Sequence, residues 1–169
     1  DLGYISSIAR TLKKAGYDTE YLYGGDINFT KMKGYLISTG FERLRWKQDY
    51  NAEEQATSKW GVCDEITFKT LGEMVLGHTD GKPFIIGYST LSSHEPWDVP
   101  VKKYKEKQYN GFSYVDQCIG TFLNTVRHSP QWDNLLIVFM PDHSSDFNEY
   151  DEQHPDRNRI PMIWTGGAV

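Results

Sequence analysis

The chain has 169 residues and a net charge of −5, with 38% hydrophobic, 14% aromatic and 24% charged residues. This balance indicates one globular domain and excludes a disordered polyampholyte or a fibrous repeat. The negative charge argues against a nucleic-acid partner, because no basic face is indicated, and no apolar run approaches the roughly 18 residues that span a bilayer.

The first half of the chain alternates helical and strand-like patterns. Apolar residues at helical spacing predict a first helix over residues 5–15, which a glycine ends. Strand-forming residues predict a strand at 20–23, followed by a glycine-rich turn. A second helix is predicted over 29–36 and a short strand at 44–46. The polar segment that follows, to residue 59, has no clean period and is predicted to be a surface loop.

The second half continues the same alternation. A helix is predicted over residues 64–77, with acidic residues in its first turn, and an almost continuous apolar run predicts a buried strand at 83–88. A long amphipathic helix is predicted over 112–126, then a buried strand at 135–140 and a shorter one at 160–164. The pattern predicts an α/β doubly wound sheet with its ligand site beyond the carboxyl ends of the strands.

Polar residues follow three of these strands, and the pair Asp142-His143 suggests a metal site. A carboxylate oxygen and an imidazole nitrogen from adjacent residues suit a divalent ion such as zinc or manganese. The alternative is that Asp142 caps the next turn and His143 is an ordinary surface residue.

Two further histidines lie in loops that are candidates for substrate contacts. His94 directly follows the predicted strand at 83–88, where it can serve as a proton donor or hydrogen-bond partner for an anionic ester. His154 follows in a polar loop. For both, the alternative is an ordinary solvated histidine. No nucleotide-binding fingerprint, no G-x-S-x-G nucleophile motif and no H-E-x-x-H zinc-binding motif is present.

Six short motifs occur in one order along the chain: Tyr23-Gly24-Gly25-Asp26, Trp60-Gly61-Val62 with Asp64, Ser93-His94-Glu95-Pro96, Tyr114-x-Asp116, Trp132-x-Asn134 and Asp142-His143. As an ordered set they resemble the C-terminal part of the sulfatase-like catalytic domain of lipoteichoic-acid synthase and its phosphoglycerol-transferase relatives, in the alkaline phosphatase superfamily. The resemblance covers nearly the whole chain.

This resemblance implies a three-layer αβα sandwich with a mostly parallel, doubly wound sheet. It implies that residues 1–169 are the C-terminal portion of a catalytic domain whose nucleophile and first metal ligand lie upstream. It also implies one divalent metal ion, held in part by Asp142 and His143. Manganese is the first expectation, with zinc, magnesium and calcium as alternatives.

The substrate-binding residues implied by the resemblance are His94, His154, Tyr23, Asp26 and Trp60. In the family, the histidine that matches His94 contacts the phosphate head group. In lipoteichoic-acid synthase the segment aligned with residues 23–32 supplies a histidine, a tryptophan and an arginine to glycerol phosphate. Tyr23, Thr30 and Met32 would stand in those places here, which is a departure from the family pattern.

The implied activity is metal-dependent transfer or hydrolysis of a phosphate ester through an upstream nucleophile, with the isolated fragment inactive or nearly so. The alternatives are a sulfatase, because its C-x-P-x-R motif would also lie upstream, and a non-catalytic binding module. The implied partners are a phospholipid head group or another anionic ester and the missing N-terminal part of the domain. The implied location is the cell membrane, with the catalytic domain outside the cytoplasm. In the enzyme reading, His94 and Asp142 should lie on the order of 10 Å or less apart.

Overall fold

The computed structural model describes residues 6–144 and 153–169. The chain divides into two compact units, residues 1–126 and residues 127–169. The first unit contains a three-stranded sheet and the second a two-stranded one.

The first unit alternates helices with strands in the order that the sequence predicts. Its helices are α1 (Ile8–Lys14), α2 (Met32–Thr39), α3 (Ala52–Gln55), α4 (Asp64–Gly77) and α5 (Lys107–Arg127). Its strands are β1 (Asp18–Tyr23), β2 (Arg43–Trp46) and β3 (Phe84–Ser89). Helix α5 ends one residue beyond the boundary between the two units.

The three strands form a parallel sheet in the order β2-β1-β3. In this register Tyr23 is paired with Trp46 on one side and with Ser89 on the other, so all three strands end at the same edge. Ligand sites of open parallel sheets lie at this carboxyl edge, and the loops that leave it carry the candidate residues.

Helices cover both faces of the central strand. The buried residues Thr19 and Leu22 of β1 point to opposite faces, because side chains alternate along a strand. On the face of Leu22 and Tyr88, α4 packs through an edge-to-face contact between Phe68 and Tyr88, with ring centroids 4.8 Å apart. Phe68 also contacts Phe122 of α5 at 5.9 Å, which joins α4 to α5.

The amino ends of the strands carry a network of charged side chains. Arg43 Nη2 lies 2.7 Å from Glu20 Oε1 and 3.0 Å from Asp18 Oδ2, and Lys82 also pairs with Asp18. His78 Nε2 lies 2.8 Å from the same oxygen of Glu20. This network stands at the edge of the sheet opposite to the candidate site.

The second unit contains β4 (Ile137–Phe139) and β5 (Ile163–Thr165), which pair antiparallel. Gly166 has a φ of +119°, and a Cβ added to it would collide with the carbonyl of Leu135. Glycine is therefore required where the chain after β5 passes close to the start of β4.

Several predicted boundaries and burials differ from the structure. The predicted strand at 135–140 has three residues and the one at 160–164 begins at Ile163, while the predicted loop to residue 59 contains α3. The strands predicted to be buried are not: every residue of β3 is half-buried and Val138 is 40% exposed. The long helix begins at Lys107. Ile5, predicted in the first helix, lies outside the described residues.

The predicted α/β class, with a parallel sheet flanked by helices, is confirmed. Along the parts of the chain that the structure describes, no helix combines the length and the apolar character needed to cross a membrane.

Candidate functional site

The loops that leave β1 and β2 and the turn before α4 meet at the carboxyl edge of the sheet. The backbone N–H of Val62 donates to Gly24 O at 3.0 Å, and that of Lys47 donates to Gly25 O at 3.3 Å. A Cβ on Gly24 would lie 2.5 Å from Val62 O, and Gly61 has a φ of +147°. The glycines of the Tyr23-Gly24-Gly25 and Trp60-Gly61-Val62 motifs therefore allow two backbone segments to approach closely.

A buried carboxylate holds the loop that carries His94. Asp64, at the start of α4, is 1% exposed. Its Oδ1 accepts hydrogen bonds from the backbone N–H of Leu91 at 2.9 Å and the hydroxyl of Tyr88 at 3.2 Å, and its Oδ2 accepts from Ser92 N–H at 2.8 Å. These three bonds satisfy the oxygens of a buried carboxyl group and fix the backbone two residues before His94.

Trp60 holds the same loop from the other side of His94. Its indole Nε1–H donates to Glu95 O at 2.6 Å, and its ring meets the His94 ring edge-on with centroids 5.8 Å apart. His94 Nδ1 lies 2.9 Å from the same carbonyl, which can only accept, so Nδ1 carries the proton. The Lewis-basic nitrogen of the neutral His94 ring is therefore Nε2, and on protonation Nε2 also becomes a donor.

Tyr23 and Asp26 lie at the same edge, after β1. The Tyr23 ring covers Gly25, where a Cβ would come within 2.7 Å of it. Burial raises the pKa of the Tyr23 hydroxyl, so this group stays a protonated hydrogen-bond donor at neutral pH. Asp26 is exposed and caps its own turn, because its Oδ1 accepts from the backbone and side-chain nitrogens of Asn28 at 2.8 and 2.9 Å.

Trp60 and His94 also line a small cleft, together with Lys59, Ser92, Pro96 and Asp98. The structure thus brings four predicted substrate residues, Tyr23, Asp26, Trp60 and His94, to one edge of the first unit.

In the second unit, Asp142 and His143 follow β4 and present two potential metal donors close to each other. His143 Nδ1 lies 2.6 Å from Ser144 O and therefore carries the proton, so Nε2 is the basic nitrogen. Nε2 lies 3.8 Å from Asp142 Oδ1. Two donors each about 2.0–2.2 Å from one ion are at most about 4.4 Å apart, so the pair fits a shared divalent ion.

His154 has the opposite tautomer. The backbone N–H of Asp156 donates to His154 Nδ1 at 3.2 Å, so in the neutral ring the proton is on Nε2. A ring of this kind donates a hydrogen bond from Nε2, which suits an anionic oxygen better than a metal ion.

Asp142, His143 and His154 belong to the second unit and the other four residues to the first. That His94 and Asp142 lie on the order of 10 Å or less apart stays a prediction. Within residues 6–144 and 153–169, no group of three or more His, Cys, Asp or Glu side chains is arranged to hold a metal ion.

Sequence reasoning missed the role of Asp64. An acidic residue in the first turn of a helix is ordinarily explained by the helix dipole, and the local pattern predicts no more than that. The available signal was the motif itself, which pairs Asp64 with Trp60-Gly61-Val62.

Comparison with known families decides the relationship. A family model described as Sulfatase matches residues 3–167. The chain belongs to the sulfatase family. The resemblance inferred from the six motifs is thereby confirmed.

Two curated proteins are similar to this chain over most of its length. Lipoteichoic acid synthase 2 of Bacillus subtilis is 24% identical over 150 residues, which cover 82% of this chain and 23% of the relative. Phosphoglycerol transferase I of Escherichia fergusonii is 26% identical over 149 residues, which cover 78% of this chain and 19% of the relative. The chain thus spans about a fifth of the length of the curated relatives it matches.

A solved structure supports the same fold. A protein of the alkaline phosphatase superfamily from Vibrio parahaemolyticus superimposes with a TM-score of 0.83 at 25% identity, over 99% of this chain and 44% of that one. The predicted alkaline-phosphatase-like fold is confirmed.

Proposed function

We propose that the full-length protein is a metal-dependent enzyme that transfers or hydrolyses a phosphate ester of the phosphoglycerol or phosphoethanolamine type. The two curated relatives are named lipoteichoic acid synthase and phosphoglycerol transferase, which supports phosphoester transfer. The observation that carries the proposal is the geometry of the dipeptide after β4, where His143 Nε2 and Asp142 Oδ1 lie 3.8 Å apart with the His143 proton on the other nitrogen.

Asp142 and His143 would hold one divalent ion, for which manganese is our first choice and zinc, magnesium and calcium are the alternatives. A carboxylate and an imidazole suit these ions to different degrees, so the donor set supports the class of ion rather than one element. When bound, such an ion polarises the ester and stabilises the negative charge that develops on it.

The remaining candidate residues would bind and orient the anionic head group. The protonated Tyr23 hydroxyl and the His154 Nε2–H can each donate to a phosphate oxygen, and protonated His94 can donate from Nε2 while Nδ1–H stays on Glu95 O. Trp60 would act mainly by keeping His94 in place. Asp26, a carboxylate, suits a hydroxyl of the substrate rather than its phosphate.

In the proposed reaction, the P–O bond to the leaving alcohol breaks and a P–O bond to a nucleophilic hydroxyl of the enzyme forms, while the proton of that hydroxyl passes to the leaving oxygen. Water or an acceptor alcohol then forms a new P–O bond, the bond to the enzyme oxygen breaks, and the proton of the water or alcohol returns to that oxygen. We propose that the nucleophile and a further metal ligand lie upstream of residue 1. We also propose that these 169 residues are the C-terminal portion of the catalytic domain, and that the full-length protein works at the cell membrane on its extracytoplasmic side.

Metal binding by the second unit can be tested with the chain as it is. Titration with Mn²⁺, followed by the electron paramagnetic resonance signal of the free ion, should give weak binding. Asp142→Asn should lower the affinity by at least about tenfold. The matched control is Asp133→Asn, an exposed aspartate of the same unit, and it should leave the affinity within about twofold. Equal loss in both variants would contradict the assignment.

The reaction class is tested with the full-length protein, on a chromogenic phosphoglycerol ester and on a chromogenic sulfate ester. Turnover of the phosphate ester that falls at least about 100-fold in Asp142→Asn supports the proposal. Turnover of the sulfate ester alone would favour the sulfatase alternative. Turnover of neither ester would favour the non-catalytic binding module.

A further inference from the structure

A strongly basic segment stands out in this acidic chain. Between residues 102 and 107 there are four lysines and one glutamate, so the segment has a net charge of +3 in a chain of net charge −5. All six side chains are exposed. The remainder of the chain therefore has a net charge of −8, and this segment is a local cluster of positive charge within it.

A buried amide gives this segment a fixed shape. Asn110, in the first turn of α5, is 7% exposed. Its Oδ1 accepts from the backbone N–H of Lys103 at 2.8 Å and of Tyr104 at 2.7 Å, and its Nδ2 donates to Tyr104 O at 2.8 Å and Glu106 O at 3.3 Å. Because the backbone is ordered before any ligand arrives, binding costs little further conformational entropy here.

Two exposed tyrosines lie within the same segment. Tyr104 and Tyr109 are 44% and 45% exposed, and their rings meet edge-on with centroids 6.2 Å apart. Lys103 Nζ lies 5.3 Å from the centre of the Tyr104 ring. We call this surface the lysine–tyrosine surface; it consists of Lys102, Lys103, Tyr104, Lys105, Lys107 and Tyr109.

We propose that the lysine–tyrosine surface binds the head-group layer of an anionic phospholipid bilayer. Lysine ammonium groups are attracted to the negative surface of such a bilayer, and tyrosine rings favour its interface because they are apolar at one end and polar at the other. None of the six residues lines the cleft formed by Trp60 and His94, so the surface is separate from that candidate substrate cleft.

A membrane fits these side chains better than a single-stranded nucleic acid. Base recognition by tyrosine needs open ring faces on which bases can stack. Here Lys103 lies over the Tyr104 ring and the edge of one tyrosine packs on the other, while the hydroxyl-bearing side chains remain exposed. The acidic remainder of the chain is screened over about 10 Å at 0.1 M salt, so it opposes the local attraction only in part.

The experiment is co-sedimentation of the chain with vesicles of phosphatidylcholine, alone or mixed with an equal amount of phosphatidylglycerol, in 0.1 M salt. The triple variant Lys102→Gln, Lys103→Gln, Lys105→Gln should lower partitioning onto the mixed vesicles by about 100-fold, since each lysine near the surface contributes about fivefold. Raising the salt concentration should weaken binding of the unmodified chain. Phosphatidylglycerol also carries the head group of the proposed substrate class, so the same comparison is made with phosphatidylserine in its place. An equal loss with the two anionic lipids would show that the outcome does not depend on the proposed function.

The matched control is the triple variant Lys14→Gln, Lys33→Gln, Lys69→Gln, which removes the same charge from exposed lysines elsewhere. Its partitioning should stay much closer to that of the unmodified chain. The double variant Tyr104→Ser, Tyr109→Ser should bind the mixed vesicles more weakly than the unmodified chain at high salt, where the apolar contribution of the tyrosines remains. Equal loss in the two triple variants would overturn the proposal. So would equal binding to both vesicle types, or tighter binding to a single-stranded oligonucleotide than to the mixed vesicles.

Discussion

The loop after β3 and the segment after β4 hold their candidate residues in different ways. The His94 loop is held by residues remote in sequence: Asp64 bonds to Leu91 across 27 residues and Trp60 to Glu95 across 35. At the segment after β4, Asp142 Oδ1 accepts from the next backbone N–H, and His143 Nδ1 donates to the next carbonyl. Asp142 and His143 are also strongly exposed, at 91% and 75% of their side-chain surface.

This difference separates two kinds of site residue. The loop that carries His94 is ordered by the fold itself, because the buried Asp64 carboxyl accepts hydrogen bonds from the backbone of Leu91 and Ser92. The Asp142-His143 pair has a suitable donor geometry, and on our proposal a bound metal ion and further ligands would add the remaining order. Substitutions that affect stability should therefore cluster around the His94 loop, and substitutions that affect metal binding around Asp142.

The largest effect on this comparison is expected from Asp64→Ala. The change leaves two buried backbone N–H groups without their acceptor, and the Tyr88 hydroxyl keeps only its hydrogen bond with Thr67, so the free energy of unfolding should fall by about 3 kcal/mol. Urea denaturation followed by circular dichroism measures this change. Hydrogen exchange of the Leu91 and Ser92 amides, measured by NMR, should accelerate in the same variant.

Glu65→Gln is the matched control for Asp64, because Glu65 is the next residue of α4 and is exposed. It should change the free energy of unfolding by no more than about 0.5 kcal/mol. If Asp64→Ala were equally mild, the carboxylate would not be what holds the His94 loop, and the contrast between the two segments would fail.

A smaller effect is expected from Trp60→Phe, which keeps an aromatic ring beside His94 but removes the donor to Glu95 O. The loss of one hydrogen bond should lower the free energy of unfolding by about 1 kcal/mol. Trp164→Phe, at an exposed position of β5, serves as the control and should stay within about 0.5 kcal/mol. An unchanged His94 ring environment, followed by its NMR signals, would contradict a positioning role for Trp60.

The sequence predicted the order of elements well but not how deeply they are buried. Alternating helical and strand-like patterns placed β1, β2 and β3 within a few residues of their observed bounds. The apolar run at 135–140 was expected to be a buried strand, yet it forms a three-residue strand with Val138 40% exposed. An apolar run reports the preference of its side chains for an interior, and it does not report which partner covers them.

Local sequence patterns likewise identified some of the candidate site residues but not the contacts that hold them. His94, Trp60 and Tyr23 were found from motifs and strand ends, because polar residues at the carboxyl edge of a parallel sheet are few. The role of Asp64 depends on two amides that follow 27 and 28 residues later, a relation that local spacing does not contain. The tautomers of His94 and His143 depend likewise on which carbonyl each ring meets in the fold.

The charged side chains at the amino edge of the sheet should make the stability of the fold depend on pH. Hydrogen bonds from Lys82 and Arg43 hold the pKa of Asp18 below its ordinary value. Because the pKa of Asp18 is lower in the folded than in the unfolded chain, where it is about 3.9, its ion pairs stabilise the fold fully above that unfolded value. This stabilisation is lost as the pH falls through the lower pKa of the folded chain. Asp18→Asn should therefore flatten the fall in stability below about pH 4, measured by thermal melts across acidic buffers. An equally steep fall in the variant would mean that the Asp18 pairs contribute nothing there.

The smallest change in stability is expected from Asp142→Ala in the presence of a chelator. Because its side chain is 91% exposed, its removal should alter the free energy of unfolding by no more than about 0.5 kcal/mol. If the free energy of unfolding fell nearly as much as in Asp64→Ala in the same urea titration, Asp142 would contribute to the stability of the fold, and the contrast with the His94 loop would be wrong. A negligible loss, together with weakened Mn²⁺ binding in Asp142→Asn, would separate the two segments as proposed: the fold holds His94, whereas Asp142 contributes mainly when an ion is bound.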